Sequence, residues 1–388
     1  MKYKLDEVCM FINGGAWSDK EYVSNGLPVL KVTNCKPRGF VLDDIDYLPL
    51  FSAQKYEKNI LNKGDVVIAT VGSHPNLVDS AAGRSCIINS MVEGFYLNQN
   101  AVCIRTKDSK ILDQKFLGYL TKYRLFQHYI QMRGKGAANQ MRIAIGAIKS
   151  YEFDFPEIAI QRKIGAILYS YDALIENSQK QIKLLEEAAQ RLFKEWFINF
   201  RFSGYENSSI CDGIPKGWEK GILGDIAEFK RGKTITKKQA VKGDYPVVAG
   251  GKEPAYYHNK ANTDMPVITV SASGNAGFTK IYYRKIWASD CSYLDKGSSE
   301  NIYFIYLFLR YNQDDLYSMQ TGSCQQHVSA KDINSMAMIV PTNEVLTAFR
   351  GIVSPFFEKI ASLEQQISLS LQARDYLLPK LMSGEIEP

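Results

Sequence analysis

Leu5-Asp6-Glu7-Val8, followed by Phe11 and Asn13-Gly14, is echoed further along the chain by Leu223-Gly224-Asp225-Ile226 with Phe229 and Arg231-Gly232, a shift of 218 residues (223 less 5). The same shift carries Pro28-Val29-Leu30 onto Pro246-Val247-Val248 without a gap. Later, Pro156 falls on Pro341 and Gln181-Ile182 falls on Gln366-Ile367, now at a shift of 185 (341 less 156). Each half therefore begins alike and ends alike, while the middles differ in length by 33 residues (218 less 185). A duplicated frame with a free interior is suited to reading two different things with one architecture.

Each half reads as a mixed α+β region followed by a long helix. Strand-like segments at 26–32, 65–71 and 101–106 are separated by Gly, Asn and Pro turns, and their counterparts lie at 245–249, 266–271 and 280–283. One apolar helix follows in each half, over about 114–132 and 301–319. Both helices end in a glycine-polar stretch, Arg133-Gly134-Lys135-Gly136-Ala137-Ala138-Asn139-Gln140 and Thr321-Gly322-Ser323-Cys324-Gln325-Gln326. The expected fold is of the α/β class, two tandem mixed α+β domains plus long α-helices. The expected boundaries are 1–155 and 206–340 for the domains, with 156–205 and 341–388 for the helices.

In the first long helix Leu168, Ile175, Ile182, Ala189 and Trp196 recur every seven residues, interleaved with Tyr171, Ser178, Leu185 and Leu192. This 3-4 alternation is coiled-coil spacing. The second helix repeats it through Val353, Phe356, Ile360, Leu363, Ile367, Leu377 and Leu381, with Ser370 and Arg374 also on the seam. The polar residues at 178, 370 and 374 predict local weakness in both seams. Halves related by a two-fold axis would make the helices an antiparallel pair, closing the chain like an isologous dimer fused into one polypeptide. Forty helical residues reach about 60 Å, enough to act as a spacer.

A chain of 388 residues is long enough for two or more domains, each with its own core. The longest apolar run, 302–309, is too short to span a bilayer, and the N-terminus lacks the apolar core of a signal peptide. Seven cysteines with no CxxC pair argue against a disulfide framework and a zinc ribbon. A cytoplasmic location is expected. The net charge of +6 divides into +5 for 1–155, +1 for 156–205, +2 for 206–340 and −2 for 341–388, so the positive excess sits in the variable middles. Between Phe229 and Gly243, Lys230, Arg231, Lys233, Lys237, Lys238 and Lys242 occur without one acid. Such a field suits a phosphate backbone, although a solvated lysine-rich loop would read the same way.

No Walker A lysine, GxSxG elbow or HExxH pair occurs, and His74, His128, His258 and His327 have no ligand-spaced partner. A base methyltransferase would also need a glycine-rich cofactor loop and an aromatic Asx-Pro-Pro motif, which are absent. No catalytic residue, metal or cofactor is therefore expected in this chain. The glycine pairs Gly14-Gly15 and Gly250-Gly251 read as turn glycines. What the modules offer is loop chemistry for bases and phosphates: Asn and Gln pair bidentately with adenine, Arg and Lys with guanine. In the first module the candidates are Lys31, Thr70, Ser73, His74, Asn98, Asn100, Lys135, Asn139, Gln140 and Arg142. In the second they are Lys230, Arg231, Lys233, Lys237, Lys238, Lys252, Ser271, Ser273, Asn275, Gln325, Gln326 and His327.

The ordered set of motifs resembles the specificity subunits of type I restriction–modification systems. The resemblance rests on Ile214-Pro215-Lys216-Gly217-Trp218-Glu219 before Leu223-Gly224-Asp225-Ile226, on Gly136…Gln140 and Gly322…Gln326, and on Gln161-Arg162-Lys163-Ile164. It also rests on the ending Leu377-Leu378-Pro379-Lys380-Leu381-Met382-Ser383-Gly384-Glu385-Ile386, and covers essentially the whole chain. Two departures stand out: the first module lacks the Pro-x-Gly-Trp lead-in, and the second long helix begins with Thr347 where the family usually has Gln. The resemblance implies a non-catalytic DNA-binding subunit in which each target-recognition domain reads half of a split target. It implies helices that fix the gap and dock two modification subunits, which carry S-adenosylmethionine and methylate adenine. Separate motor-nuclease subunits would complete the assembly. A reading from another class is a coiled-coil scaffold whose duplicated modules bind protein or carbohydrate; absence of DNA affinity at low salt, partners present, would favour it.

Overall fold

The structure, a computed structural model, describes residues 2–36, 39–42, 44–73, 82–136, 141–320 and 327–388. The chain forms two compact units, Met1–Ser178 with Gln366–Pro388, and Gln179–Gln365. Each unit thus takes one module together with a segment of both long helices.

The duplication is visible strand by strand. In the first module Cys9–Asn13, Ala101–Thr106, Val66–Ala69 and Ser85–Ile87 lie side by side in that order, each antiparallel to its neighbour. In the second, Lys230–Arg231, Cys291–Asp295, Val267–Ser271 and Thr279–Tyr282 take the same places, so the counterpart of Ala101–Thr106 is Cys291–Asp295 and not the expected 280–283, which answers to Ser85–Ile87. A smaller sheet repeats as well. Leu27–Leu30 runs between parallel Tyr96–Leu97 and antiparallel Tyr47–Leu48, as Tyr245–Val248 runs between Trp287–Ala288 and Tyr256–His258. A two-stranded ladder completes each module, Lys2–Lys4 with Glu152–Asp154 and Glu219–Ile222 with Ala337–Val340. Val66–Ala69 and Val267–Ser271 are buried at every residue; the first therefore reads as a continuous apolar run, while the second carries buried Thr269 and Ser271 within it.

The apolar helices differ from expectation, because each is broken in two. The first module has Gln114–Lys122 and Arg124–Gln131, the second Ile302–Tyr311 and Gln313–Ser318. At Tyr123 the backbone turns extended, and Gln127 Nε2 donates to the freed Thr121 carbonyl (2.6 Å) and to the Gly83 carbonyl (2.9 Å). Gln313 Nε2 makes the matching bond to Gly277, at 2.8 Å. Gly83 and Gly277 have φ of +80° and +83°, a conformation that favours glycine, and each stands just before the last strand of its sheet. The apolar stripe continues through the break, so periodicity alone passes over it.

The long helices are Ile158–Phe193, continued by a π turn over Lys194–Ile198, and Asn343–Ser383. In the first unit Leu168 shares a core with Leu378, Leu381 and Met382, and Ser178 Oγ lies 3.5 Å from Gln366 Oε1. In the second, Ala189, Phe193 and Trp196 share a core with Phe349, Val353, Phe357 and Ile360. Rising numbers meet falling ones, so the segments are antiparallel within each unit. Of the expected seam, Leu168, Ile175, Trp196, Val353, Ile360, Leu363 and Leu381 are buried, while Tyr171, Ile182, Leu185, Leu192 and Ile367 are half-buried. At two positions the inward residue is the next one along: Phe357 rather than Phe356, and Leu378 rather than Leu377. The buried series returns to the count at Ile360 and Leu363 after Phe357, and at Leu381 after Leu378, so each offset is local.

Gln161 explains the start of the first helix. Its buried amide accepts from Asp113 N (3.0 Å) and donates to the carbonyls of Ile111 (3.0 Å) and Pro156 (2.9 Å). At the repeat position of the second helix stands buried Leu346, whereas Thr347 is exposed. The polar knot has been replaced there by an apolar plug.

A second polar knot lies on the first unit's helix seam. Tyr119 Oη donates to Asp172 Oδ2 (2.7 Å), Arg374 Nη1 donates to Asp172 Oδ1 (2.5 Å), and Lys122 Nζ lies 3.7 Å from Oδ2. Burial alone would raise the Asp172 carboxyl, but Lys122, Arg374 and the hydrogen bonds from Arg374 and Tyr119 outweigh it and hold it below its ordinary value of 3.8. A depressed carboxylate contributes its stability in full above the unfolded value and loses it as pH falls through the folded one. Thermal melts between about pH 5 and 2 should therefore show a steeper acid loss for the native chain than for Asp172→Asn.

Candidate nucleic-acid interface

In both modules the sequence echo Gly14/Gly232 marks one structural event. The first strand of the sheet runs so close under a neighbouring loop that a side chain has no room. A Cβ on Gly14 would stand 1.8 Å from the Asn98 carbonyl oxygen, and one on Gly232 would stand 2.4 Å from that of Ser289. Gly14 N donates to Ala101 O (3.0 Å) and Gly232 N to Cys291 O (2.8 Å), so the contact is part of the sheet's hydrogen bonding. Gly250 is also a close-approach glycine rather than a simple turn, with a Cβ falling 2.3 Å from the Ser273 carbonyl oxygen. These contacts gather the loops at one end of each sheet.

In the first module, Thr70 follows the central strand and its N–H donates to Asn100 O at 2.8 Å. Val71–Gly72 then pairs with Met141–Arg142, and Lys135 and Arg142 exchange two backbone bonds of 2.9 Å, leaving both side chains exposed. Thr70 and Asn98 are buried, and Asn98 Nδ2 donates to Tyr22 Oη (3.3 Å), which also accepts from Trp17 Nε1 (3.0 Å). Lys31 is ion-paired with Asp46 and lies over the Tyr22 ring, 4.6 Å from its centre. Thr70, Asn98 and Lys31 are thus engaged in holding the loops. Asn100 and Ser73 are half-exposed beside them. His74, Asn139 and Gln140 lie outside the described residues.

The second module's cluster centres on Asp290, a residue with no distinguishing signal in the sequence. Its carboxylate accepts from Arg231 Nη2 (2.5 Å) and from Ser273 Oγ. Ser271 Oγ donates to Ser273 O (3.0 Å), Asn275 N donates to Gly250 O (3.0 Å), and His327 Nδ1 lies 3.2 Å from Ala272 O. Ser271 and Ser273 are buried within this net, whereas Asn275 and His327 are exposed. Lys252 lies over the Phe278 ring, 5.6 Å from its centre. Lys230, Lys233, Lys237 and Lys238 are exposed, and none makes an ion pair among the described residues. Gln325 and Gln326 lie outside those residues.

Away from these loops, burial pushes the Glu364 carboxyl up to about 7, and the hydrogen bond with Cys35 lowers the Cys86 thiol. Burial pushes the thiols of Cys9, Cys103 and Cys291 up to about 12, so they stay protonated at neutral pH and make poor nucleophiles. Among the described residues no cluster of His, Cys, Asp or Glu is arranged to hold a metal, and no helix is long and apolar enough to cross a membrane.

Two copies of one mixed α/β module, each with polar loops at a sheet end and packed on segments of long helices, define a tandem-repeat architecture. The chain belongs to the family of the type I restriction modification DNA specificity domain, whose model matches residues 1–187 and 215–373. It is 29% identical over 318 residues to the type I restriction enzyme MjaIX specificity subunit of Methanocaldococcus jannaschii, spanning 74% of this chain and 72% of that one. It is 19% identical over 413 residues to the HindI specificity subunit of Haemophilus influenzae, spanning 85% and 88%. The type I restriction-modification S subunit of M. genitalium has the same fold, with a TM-score of 0.59 at 18% identity over 98% of this chain and 95% of that one.

The close approach at Gly232 makes a direct test. Gly232→Ala forces backbone to move and should destabilise the second module by about 1–3 kcal/mol. Hydrogen exchange should then speed up at the amides of residues 232, 233 and 289, leaving Gly14 N–H protection unchanged.

Proposed function

We propose that this chain is the non-catalytic, sequence-reading subunit of a restriction–modification complex acting on double-stranded DNA. Each module reads one short block of a split target through the loops at its sheet end. The long helices hold the modules at a set separation and present docking surfaces for two modification subunits. S-adenosylmethionine and adenine methylation belong to those subunits, and cleavage to further motor-nuclease subunits. A 36-residue helix is about 54 Å long, more than the roughly 34 Å that separates major-groove sites on one face of DNA.

The observation that carries this reading is the repeated loop cluster: one sheet end, built by equivalent glycines, carries different side chains in the two modules. Lys135, Arg142, Asn100 and Ser73 are positioned to contact DNA from the first. Asn275, His327, Lys230, Lys233, Lys237 and Lys238 are positioned to do so from the second, with Arg231 and Lys252 beside them. Thr70, Asn98, Ser271 and Ser273 act by holding the loops, as Lys31 does through Asp46. His74, Asn139, Gln140, Gln325 and Gln326 stay candidates on the strength of the sequence.

Phosphate contacts give affinity and base contacts give specificity. Changing Lys230, Lys233, Lys237 and Lys238 together to Gln should lower the complex's affinity and flatten its log–log salt dependence by about 0.9 for each phosphate no longer neutralised, with the recognised bases unchanged. An unaltered salt slope would remove that loop from the interface.

A further inference from the structure

The first unit's helices are joined by a cross-helix ion pair, whereas the polar groups beside the second unit's seam, Glu186 and Glu364, are carboxyls that burial raises, with no ion pair among the described residues. Asp172, Ser178, Ser370 and Arg374 lie on the first unit's seam. Their partners at the repeat distance of 185 residues are Phe357, Leu363, Leu185 and Ala189, which lie in the second unit and are all apolar. The second unit buries Phe357 and Ala189 completely, with Tyr303 stacked on the Phe357 ring at 4.4 Å and Tyr306 edge-on to it at 5.8 Å. Tyr306 occupies there the place that Tyr119 takes beside Asp172. One unit therefore seals its helices with an ion pair and the other with aromatic packing.

A duplicated chain faces an ambiguity that this difference resolves. The two helices are copies of one sequence, so two first helices from different molecules, or two second helices, have matching apolar seams. Subtracting the repeat distance shows what such pairs would bring together. Two first helices would set Asp172 against Ala189, and two second helices would set Arg374 against Phe357. Either arrangement strips a largely buried charge of its cross-helix partner, which is the costly way to break such a pair. A single polar residue on a coiled-coil seam fixes partner choice by the same logic.

We propose that Asp172 and Arg374 form a pairing lock, which makes the first long helix accept the second helix of its own chain and reject the like helix of another copy. Asp172 and Arg374 face each other only where a first helix pairs with a second. The lock rests on the helix-pair reading above and adds to it a reason why one molecule keeps two unlike modules in a fixed partnership.

The test uses two full-length copies with different affinity tags, co-expressed and captured through one tag without DNA. The native chain should carry across little of the second copy. Asp172→Phe with Arg374→Ala gives the first unit the residues of the second, and should raise co-capture at least tenfold, as should Arg374→Ala alone. Arg374→Lys, which keeps the charge, should return co-capture to within about threefold of the native chain. Helical circular dichroism identifies folded variants, and the single substitution stands as the test if the double one fails to fold. Native-level co-capture in a folded variant, or equal exchange by the native chain, overturns the lock. DNA plays no part in the readout, so its failure and a failure of the DNA-reading proposal are distinguishable.

Discussion

The packing of the long-helix segments onto each module's own core is the constraint on which the rest depends. In the first unit Ile164 and Leu168 share one core with Phe116, Leu117 and Tyr119, and with Leu378 and Leu381 from the other long helix. In the second, Phe197 stands edge-on to both Phe304 (4.7 Å) and Phe349 (4.8 Å), joining three elements through one ring. Neither long helix is a detachable rod. Removing it would strip the apolar face from the module helix beneath, so module and helix segments fold as one body. For this reason the compact units cut across the helices rather than around them.

This union explains which parts of the chain repeat. Residues that the sheet and helices need, such as Gly14 and Gly232 or Gln127 and Gln313, recur because backbone geometry fixes them. Residues at the loop surface are under no such demand, and there the modules diverge. One module carries Lys135 and Arg142 on a small ladder, while the other carries a run of lysines after Arg231 and an acid, Asp290, at its centre. A common frame under unlike loops lets two halves of one molecule recognise unlike partners without a second fold.

Much of this is legible in the amino-acid sequence, for physical reasons that vary by element. Ala101–Thr106 is readable because its first four residues form a buried apolar run rich in strand formers between turns. The long helices are readable because heptad spacing persists over many turns. The breaks at Tyr123 and Asn312 are not, since an amphipathic stripe continues across a bend that side-chain amides repair. The shift from Phe356 to Phe357 escapes because both positions are phenylalanine and either satisfies the apolar pattern. The site is less readable than the fold. Polarity alone does not separate Asn275, which faces outward, from Ser273, which is turned inward onto Asp290. Lys31 has the chemistry of a phosphate ligand, and only its neighbours Asp46 and Tyr22, brought close by folding, reveal another role.

Whether two modules of one chain read two separated blocks of DNA is decided by mapping the methylated adenines in DNA from cells that carry this chain with its modification and restriction partners. Two short specific blocks of unlike sequence are expected, separated by a gap of constant length and indifferent composition. A single contiguous block would contradict that reading.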